Sequence, residues 1–264
     1  MVNCLCSNCN IISTRSDISL IDWHDPNPKP IVEEYDGIYV VRDDLLEGGS
    51  KVRYMDYLVR NIKQHEIVFG GSSAFGNSQV ALPIIAGKYG KVATLFQAKR
   101  KVHLPNQVKA IKHGAILKAV PMGMLTVTLK RARDYVAEDP ELRYNLPFDF
   151  DQEPSINESM KILCDEGIDI KPTEIWSVGA SGTCNRALQY AFPDLPVHTV
   201  QVGHKLEAKD IGRAKLHISE YKFSKGVKDE DKPPFPSSPE YDAKAWKFCR
   251  EEAKEGALFW NVGV

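Results

Sequence analysis

The sequence predicts an α/β protein built around parallel sheet, with helices on both faces. Short apolar segments alternate with segments of helical length and pattern through the middle of the chain. Such alternation is typical of βαβ units, whose crossover helices cover a parallel sheet. Three of the apolar segments also lead into turns rich in glycine and serine. Turns of this kind separate a strand from the helix that follows it.

The elements can be placed one by one along the chain. Residues 1–30 should form an irregular arm, because three prolines between His24 and Pro30 disfavour both helix and central strand. Strands are predicted at 37–41, 66–69, 92–96, 115–120, 174–178, 197–202 and 257–262. Helices are predicted at 51–61, 77–89, 106–113, 126–136, 158–166, 183–190 and 242–254. Pro83 should kink the second helix, and Gly114 should end the third as a C-cap.

Composition narrows the class of protein. The 264 residues carry a formal net charge of -1 and are 43% hydrophobic and 26% charged, which is ordinary for a soluble globular protein. This balance creates no broad positive field that would favour nucleic-acid binding. The chain contains no apolar run long enough to cross a membrane, and its start lacks the pattern of a signal peptide. We therefore expect a cytoplasmic protein with six reduced cysteines.

Three cysteines cluster near the start of the chain. Cys4, Cys6 and Cys9 have soft thiolate ligands to offer a metal such as zinc, and His24 would be a fourth ligand. Their spacing is not that of a standard zinc finger, and no second cysteine pair follows. We therefore predict no metal site here and interpret the segment as a mobile tail with free thiols.

A glycine turn places a lysine at the start of a predicted helix. The turn is Gly48-Gly49-Ser50-Lys51, and its glycines allow the backbone to turn tightly and to approach a ligand closely. A lysine amine buried against a cofactor loses its charge more easily and can attack an aldehyde. Taken alone, the pattern also fits a surface lysine after a turn.

Two further turns offer sites for anions. Small residues run from Gly179 to Thr183 at a predicted helix start, where free N–H groups and the helix dipole suit a single phosphate. The alternative is a tight packing turn. The segment 70–79 offers serine and asparagine side chains for a carboxylate or a phenolic oxygen, unless Asn77 serves only as an N-cap. Together with the lysine, these are the groups that pyridoxal 5′-phosphate (PLP) requires.

At these motifs the sequence resembles the fold type II enzymes that depend on PLP. The resemblance is greatest to the branch of 1-aminocyclopropane-1-carboxylate deaminase and D-cysteine desulfhydrase. Residues 42–53 resemble the branch's R-x-D-x-x-x-x-G-G-N-K-x-R, whose lysine forms a Schiff base with PLP and corresponds to Lys51. Segments 70–81, 179–183 and 240–263 resemble its G-G-x-x-S-N-x-x-R-Q-V-A loop, phosphate loop and C-terminal motif.

The resemblance implies a tryptophan synthase β-like α/β fold with PLP between two subdomains, in a homodimer. The larger subdomain would comprise 31–57 and 137–264, and the smaller one 58–136. Asp242 falls where the branch places an acid or hydroxyl against the pyridine nitrogen; an N-cap role for Asp242 is compatible with this.

One departure from the branch affects the loop after the second strand. Ala74-Phe75 replaces the branch's Ser-Asn, so the deaminase nucleophile is missing at that position and cyclopropane ring opening is not expected. An alternative register, in which Ser73 to Gln79 follow the S-x-G-N-x-x-Q loop of other fold type II enzymes, places Asn77 beside the phenolic oxygen of the cofactor.

These arguments give one set of candidate site residues, with Lys51 as the catalytic residue. The predicted cofactor-binding residues are Lys51, Ser73, Asn77, Gly179, Ala180, Ser181, Gly182, Thr183 and Asp242. The predicted substrate-binding residues are Ser72, Ser73, Ala74, Gly76, Ser78 and Tyr241.

The leading functional prediction is a PLP-dependent lyase that eliminates, deaminates or decarboxylates a small amino-acid-like substrate. A second hypothesis is an enzyme that processes an amino-acid group attached to a DNA base, as in thymidine hypermodification. A third hypothesis is a non-catalytic PLP-binding homologue. For the second, phosphates would meet basic residues that otherwise form solvated helix faces. These residues are Lys99, Arg100, Lys101, Lys109, Lys112, Lys130, Arg131 and Arg133.

Overall fold

The computed structural model describes residues 23–73, 75–148 and 154–264. Its strands are β1 (Val32–Tyr35), β2 (Ile38–Arg42), β3 (Glu66–Phe69), β4 (Val92–Ala98), β5 (Ile116–Val120), β6 (Arg143–Leu146), β7 (Ile175–Gly179), β8 (Val197–Gln201), β9 (Lys215–Ile218) and β10 (Leu258–Asn261). Its helices are α1 (Lys51–Tyr54), α2 (Asp56–Asn61), α3 (Ser78–Lys88), α4 (Pro105–Lys112), α5 (Leu125–Ala137), α6 (Pro154–Gly167), α7 (Thr183–Ala191), α8 (Ala208–Ile211) and α9 (Asp242–Glu252).

The larger of two sheets has six strands in the order β1-β2-β10-β7-β8-β9. All neighbouring strands are parallel except β1 and β2, which form an antiparallel hairpin. Asp36 and Gly37 turn that hairpin with φ angles of 52° and 78°, the left-handed pair that a tight two-residue turn requires. The central strands of this sheet are β10 and β7, and they carry Trp260 and Trp176, which are both fully buried.

The smaller sheet has four parallel strands in the order β5-β4-β3-β6. Strand β6 extends this sheet past residue 136, where the sequence predicted the smaller subdomain to end. The sequence of β6 contains no apolar run from which a strand could be predicted. In the structure β6 pairs with β3, and Arg143 Nε donates a hydrogen bond to Glu66 Oε2 at 3.1 Å. A polar strand of this kind is visible only once its partner is in place.

Most predicted elements are confirmed within a few residues, and both sheets are parallel apart from the β1–β2 pair. The first predicted helix is two helices, α1 and α2, divided at Met55. Helix α3 runs unbroken through Pro83, and Gly114 follows α4 with a φ of 83°, as predicted. The sequence did not predict β1, β6, β9 or α8, which have four residues each.

The hydrophobic core runs continuously between the two sheets. One cluster of buried residues includes Ile67 and Leu95 of the smaller sheet and Trp176 and Phe259 of the larger sheet. The described helices include none long and apolar enough to cross a membrane. The loops that follow the carboxyl ends of the strands lie toward one cleft, which is where ligands bind in open parallel sheets.

Candidate active site

Loops from both sheets line one cleft, whose cavity volume is about 320 Å³. That volume is in the range of small-molecule sites. From the smaller sheet it receives the segment after β3 and residues near the end of β4. From the larger sheet it receives the turn after β7, His204 after β8, Phe223 after β9 and Val262 after β10. The start of α1 completes the wall with Lys51.

Lys51 is placed in the cleft by the glycine turn before it. Gly48 and Gly49 have φ angles of 90° and 65°, and a Cβ on Gly49 would lie 2.0 Å from the Val262 carbonyl oxygen. The Ser50 N–H donates to that same oxygen at 2.9 Å. Burial lowers the pKa of the Lys51 amine, against the opposing effects of Cys184 and Asp242. The amine is therefore easier to deprotonate than a surface lysine.

The turn from Gly179 to Thr183 joins β7 to α7. Gly182 is the N-cap of α7 with a φ of 78°, and a Cβ there would lie 2.4 Å from the Asp210 carbonyl oxygen. Gly182 as N-cap has no side chain with which to cap α7, so the helix start that lines the cleft is suited to an anion. Ser181 Oγ lies 3.0 Å from Thr183 Oγ1. Ala180, Ser181, Gly182 and Thr183 line the cleft.

The segment after β3 faces this turn and carries the remaining polar groups. Ser73 Oγ lies 2.7 Å from Tyr241 Oη, and Phe223 packs edge-on against Tyr241 with ring centroids 5.3 Å apart. Asn77 is the N-cap of α3 but makes no side-chain capping bond; its Oδ1 accepts a hydrogen bond from Asn106 Nδ2 at 3.2 Å. A capping role alone therefore does not explain Asn77.

Three buried glutamine side chains form a series of hydrogen bonds that ends on the backbone of this segment. Gln107 Nε2 donates to Gln97 Oε1 at 2.6 Å, Gln97 Nε2 donates to Gln79 Oε1 at 2.7 Å, and Gln79 Nε2 donates to the Ser73 carbonyl at 2.8 Å. At the other end, Gln107 Oε1 accepts from the Leu104 N–H at 2.9 Å. The backbone groups at both ends fix the direction of every amide, because each link requires one donor and one acceptor.

Asp242 lies at the base of the cleft, 1% exposed. It is the first residue of α9, while Tyr241 occupies the N-cap position. The Asp242 Oδ1 accepts a hydrogen bond from the Val262 N–H at 3.1 Å. Burial raises the pKa of the Asp242 carboxyl to about 7, although the Val262 N–H and the Lys51 amine act in the opposite direction.

A buried lysine anchors the loop that carries Phe223. Lys244 is fully buried, and its Nζ donates to the carbonyls of Lys222 and Phe223 at 3.1 Å each. The Phe223 ring also packs against Phe75 with centroids 6.0 Å apart. The contact joins the larger sheet's loop to the segment after β3 across the cleft.

The predicted site residues are brought together with few exceptions. The cleft is lined by Lys51, Ser72, Ser73, Gly76, Asn77, Ser78, Ala180, Ser181, Gly182, Thr183, Tyr241 and Asp242. Gly179 lies at the end of β7 behind the turn, where a Cβ would meet Thr199 Oγ1 at 2.7 Å. Ala74 lies outside the described residues.

The cysteine cluster also lies outside the described residues. His24 is exposed, and its Nδ1 lies 2.7 Å from Glu166 Oε1. Within the described ranges, the His, Cys, Asp and Glu side chains form no group of three suited to a metal ion.

Sequence reasoning missed several residues of the cleft wall. They are Tyr54, Gln97, Gln107, Cys184, His204 and Phe223. Tyr54 follows Lys51 by three positions, which places both on one face of a helix. The predicted helix at 51–61 could therefore have identified Tyr54 as a neighbour of Lys51 in the cleft. The others come from parts of the chain distant in sequence.

The fold of this chain is the α/β fold called fold type II, which it shares with the solved structures described next. No protein-family model matches the sequence, and no curated protein matches it. An ACC deaminase homologue superposes with a TM-score of 0.73 and 17% identity, covering 93% of this chain and 91% of that one.

Two other solved structures are similar. Threonine deaminase isoform 2 from Solanum lycopersicum has a TM-score of 0.64 at 12% identity, over 86% of this chain and 74% of that one. O-acetylserine dependent cystathionine beta-synthase from Helicobacter pylori has a TM-score of 0.62 at 14% identity, over 88% and 91%. At these identities the likeness establishes the fold.

Proposed function

We propose that this chain is a PLP-dependent enzyme acting on an amino-acid-like substrate, with Lys51 as its catalytic residue. The observation that carries the proposal is the convergence of separate motifs on one cleft. A lysine with a lowered pKa, a helix-start turn, an asparagine amide and a buried carboxyl all line it. The fold shared with the deaminases and synthases named above supports the same proposal.

The residues present fit the functional groups of PLP. Lys51 Nζ would hold the aldehyde carbon, and the N–H groups and hydroxyls of 180–183 would hold the phosphate. Asn77 would face the phenolic oxygen and Asp242 the pyridine nitrogen. One polar atom also requires a partner: Ser72 Oγ is buried in the cleft wall and has no hydrogen-bond partner among the described residues. A ligand with several polar groups would supply one.

When bound, PLP withdraws electrons from the substrate carbon that carries the amino group. The protein's own groups would handle the protons. The Lys51 amine, whose pKa burial lowers, would accept and return a proton at that carbon. Asp242, whose carboxyl has a pKa of about 7 in the ligand-free cleft, would be ionised by a cationic ring nitrogen, because an opposite charge favours the carboxylate.

Substrate binding would fall to the segment after β3. Ser72, Ser73 and Ser78 offer hydroxyls, and Gly76 allows close approach of the backbone, a set suited to a carboxylate. Burial raises the pKa of the Tyr241 phenol to about 12, so Tyr241 would stay protonated and donate to Ser73 or to the substrate. We propose a lyase, with elimination, deamination and decarboxylation as the candidate outcomes.

The test is to load the protein with PLP, reduce it with borohydride and locate the label by mass spectrometry. We expect a yellow protein whose absorbance band disappears on reduction, and a single labelled peptide containing Lys51. Lys51→Ala should lose the band and the label, whereas Lys101→Ala, at an exposed position outside the cleft wall, should retain both. Labelling spread over several lysines would contradict the proposal. Turnover in a screen of amino acids would then separate an enzyme from a carrier.

A further inference from the structure

Tyr54 carries a buried hydroxyl in the cleft wall that no group of the described residues accepts. The side chain is 0% exposed and lines the cleft, yet its Oη has no hydrogen-bond partner in the described chain. Leaving a buried donor unpaired is costly, and native structures rarely do so without a ligand or water to complete the bond. The proposed function above assigns no role to this residue.

The environment of Tyr54 keeps its proton in place. Burial raises the pKa of the phenol well above its ordinary value, and Cys184, Asp43 and Asp242 raise it further. None of these three groups accepts the hydroxyl hydrogen. The phenol is therefore a fixed donor that requires an acceptor, and an anionic acceptor would form the stronger bond.

The position of Tyr54 in the fold indicates which acceptor its hydroxyl can meet. Tyr54 ends α1, one helical turn after Lys51, and its side chain lines the same cleft as Cys184 and the 180–183 turn. Cys184 is the second residue of α7, directly after that turn. The phenol thus shares the cleft with the helix start at which an anion would bind.

We propose that Tyr54 donates a hydrogen bond to the phosphate group held by the 180–183 turn, as a cofactor-binding residue contributed by α1. The inference rests on the proposed PLP binding and adds a donor from the element that also carries Lys51. One short helix would then hold the cofactor at both its aldehyde and its phosphate.

The experiment compares Tyr54→Phe with Tyr57→Phe in PLP and pyridoxal titrations followed by absorbance. Tyr57 is a matched control, because its buried hydroxyl also has no partner in the described chain and it is not part of the cleft wall. We expect Tyr54→Phe to weaken PLP binding about ten- to a hundred-fold, the range for one hydrogen bond to a charged group. Its affinity for pyridoxal, which lacks the phosphate, should equal that of the wild type.

Each other outcome has a defined meaning. Equal PLP affinity in Tyr54→Phe and wild type would overturn the inference, and so would a matching loss for pyridoxal, since the phenol would then contact another part of the cofactor. If the wild type binds no PLP, the proposed function falls and the inference with it. Melting of the ligand-free variants controls for misfolding: Tyr54→Phe should melt no lower than wild type, because it removes only an unpaired hydroxyl.

Discussion

Asp242 and Lys51 lie in one cleft, and burial shifts the pKa of both. The pKa of the Asp242 carboxyl rises to about 7 and that of the Lys51 amine falls, because burial disfavours the charged form of each group. Their mutual attraction opposes both changes. The Asp242 carboxyl is therefore only partly ionised near neutral pH in the ligand-free cleft, and a cationic group beside it would restore its charge.

The raised pKa of Asp242 makes the ligand-free protein less stable as pH rises. Between the pKa of the unfolded carboxyl and about 7, the folded state binds the additional proton, so stability is lost as pH increases through that window. Asp242→Asn should remove this loss and stabilise the ligand-free protein at pH 8 by an amount on the order of a few kcal/mol. Urea unfolding at pH 5 and pH 8 measures it.

The exposed Asp169→Asn is the control for this prediction, and its stability should follow the wild type at both pH values. An Asp242→Asn variant that is no more stable than wild type at pH 8 would show that the folded carboxyl ionises without penalty.

At the scale of secondary-structure elements, hydrogen bonds between buried polar side chains fix how neighbouring helices and strands are positioned. The amides of Gln79, Gln97 and Gln107 connect α3, β4 and α4 and end on the carbonyl of Ser73. All three side chains are buried. The segment after β3 thus has its backbone direction set by groups outside it, which is what a binding loop requires.

Replacing Gln97, the middle of the three glutamines, should break this series of hydrogen bonds. Gln97→Leu removes the hydrogen bonds that Gln97 makes with Gln79 and with Gln107, and the loss of one buried hydrogen bond whose partner stays in place costs about 1–3 kcal/mol. We expect a loss of roughly 2–4 kcal/mol in urea unfolding together with weaker substrate binding. Gln64→Leu, which loses one surface bond of 3.4 Å, should cost little. Equal losses of unfolding free energy in Gln97→Leu and Gln64→Leu would refute the role of the hydrogen-bonded glutamines.

A second polar cluster lies on β8 and β9 of the larger sheet, where His217 is buried and His198 is half-buried. His198 Nδ1 is 3.1 Å from His217 Nε2 on the neighbouring strand, and His198 stacks on Trp176 with centroids 4.1 Å apart. Glu174 and Glu252 lie 3.8 and 3.4 Å from the outer nitrogens. Burial lowers the pKa of both histidines despite these carboxylates.

This pair predicts acid sensitivity. Because the folded histidines have lowered pKa values, the unfolded chain takes up protons first as pH falls below about 6.5, and stability is lost from there downward. We expect the melting temperature of His217→Gln, measured relative to that of the wild type, to rise between pH 7 and pH 5, because the variant lacks the acid-induced loss that His217 contributes. A difference that stays constant between the two pH values would assign the acid loss to other groups.

At the scale of the whole molecule, the cleft lies where the loops of two sheets meet. Contacts such as Phe75 with Phe223 and Ser73 with Tyr241 join the two sides. A ligand in the cleft would bind residues from both sheets in the folded state only, so its binding free energy would stabilise the entire fold.

PLP should therefore raise the melting temperature of the whole chain in one transition. At a hundred-fold excess over Kd, linkage gives about 2.7 kcal/mol, or roughly 5–10 °C for a protein of this size. Scanning calorimetry with and without PLP measures the shift, and Lys51→Ala should reduce it sharply. A shift confined to one of two separate transitions would show that the ligand contacts only one sheet.

Local patterns in the sequence were sufficient for most elements and for the motifs of the site. Strands such as β3 and β7 are apolar runs, and the turns at Gly48-Gly49 and Gly182 need glycine for a left-handed backbone. The missed strands β6 and β9 are short and polar. Their pairing depends on a neighbour distant in sequence, so no local period reports it.

The sequence by itself determined the α/β class, the order of most elements and the placement of Lys51 and the 179–183 turn at helix starts. Only the tertiary structure decided that these groups share a cleft with Tyr54, Gln97 and Cys184. It also decided that the Asp242 carboxyl accepts a hydrogen bond from the Val262 N–H, twenty residues further along the chain. The physical reason is range: propensity and turn chemistry act over a few residues, whereas burial, pKa shifts and polar networks arise from strand register and packing between distant segments.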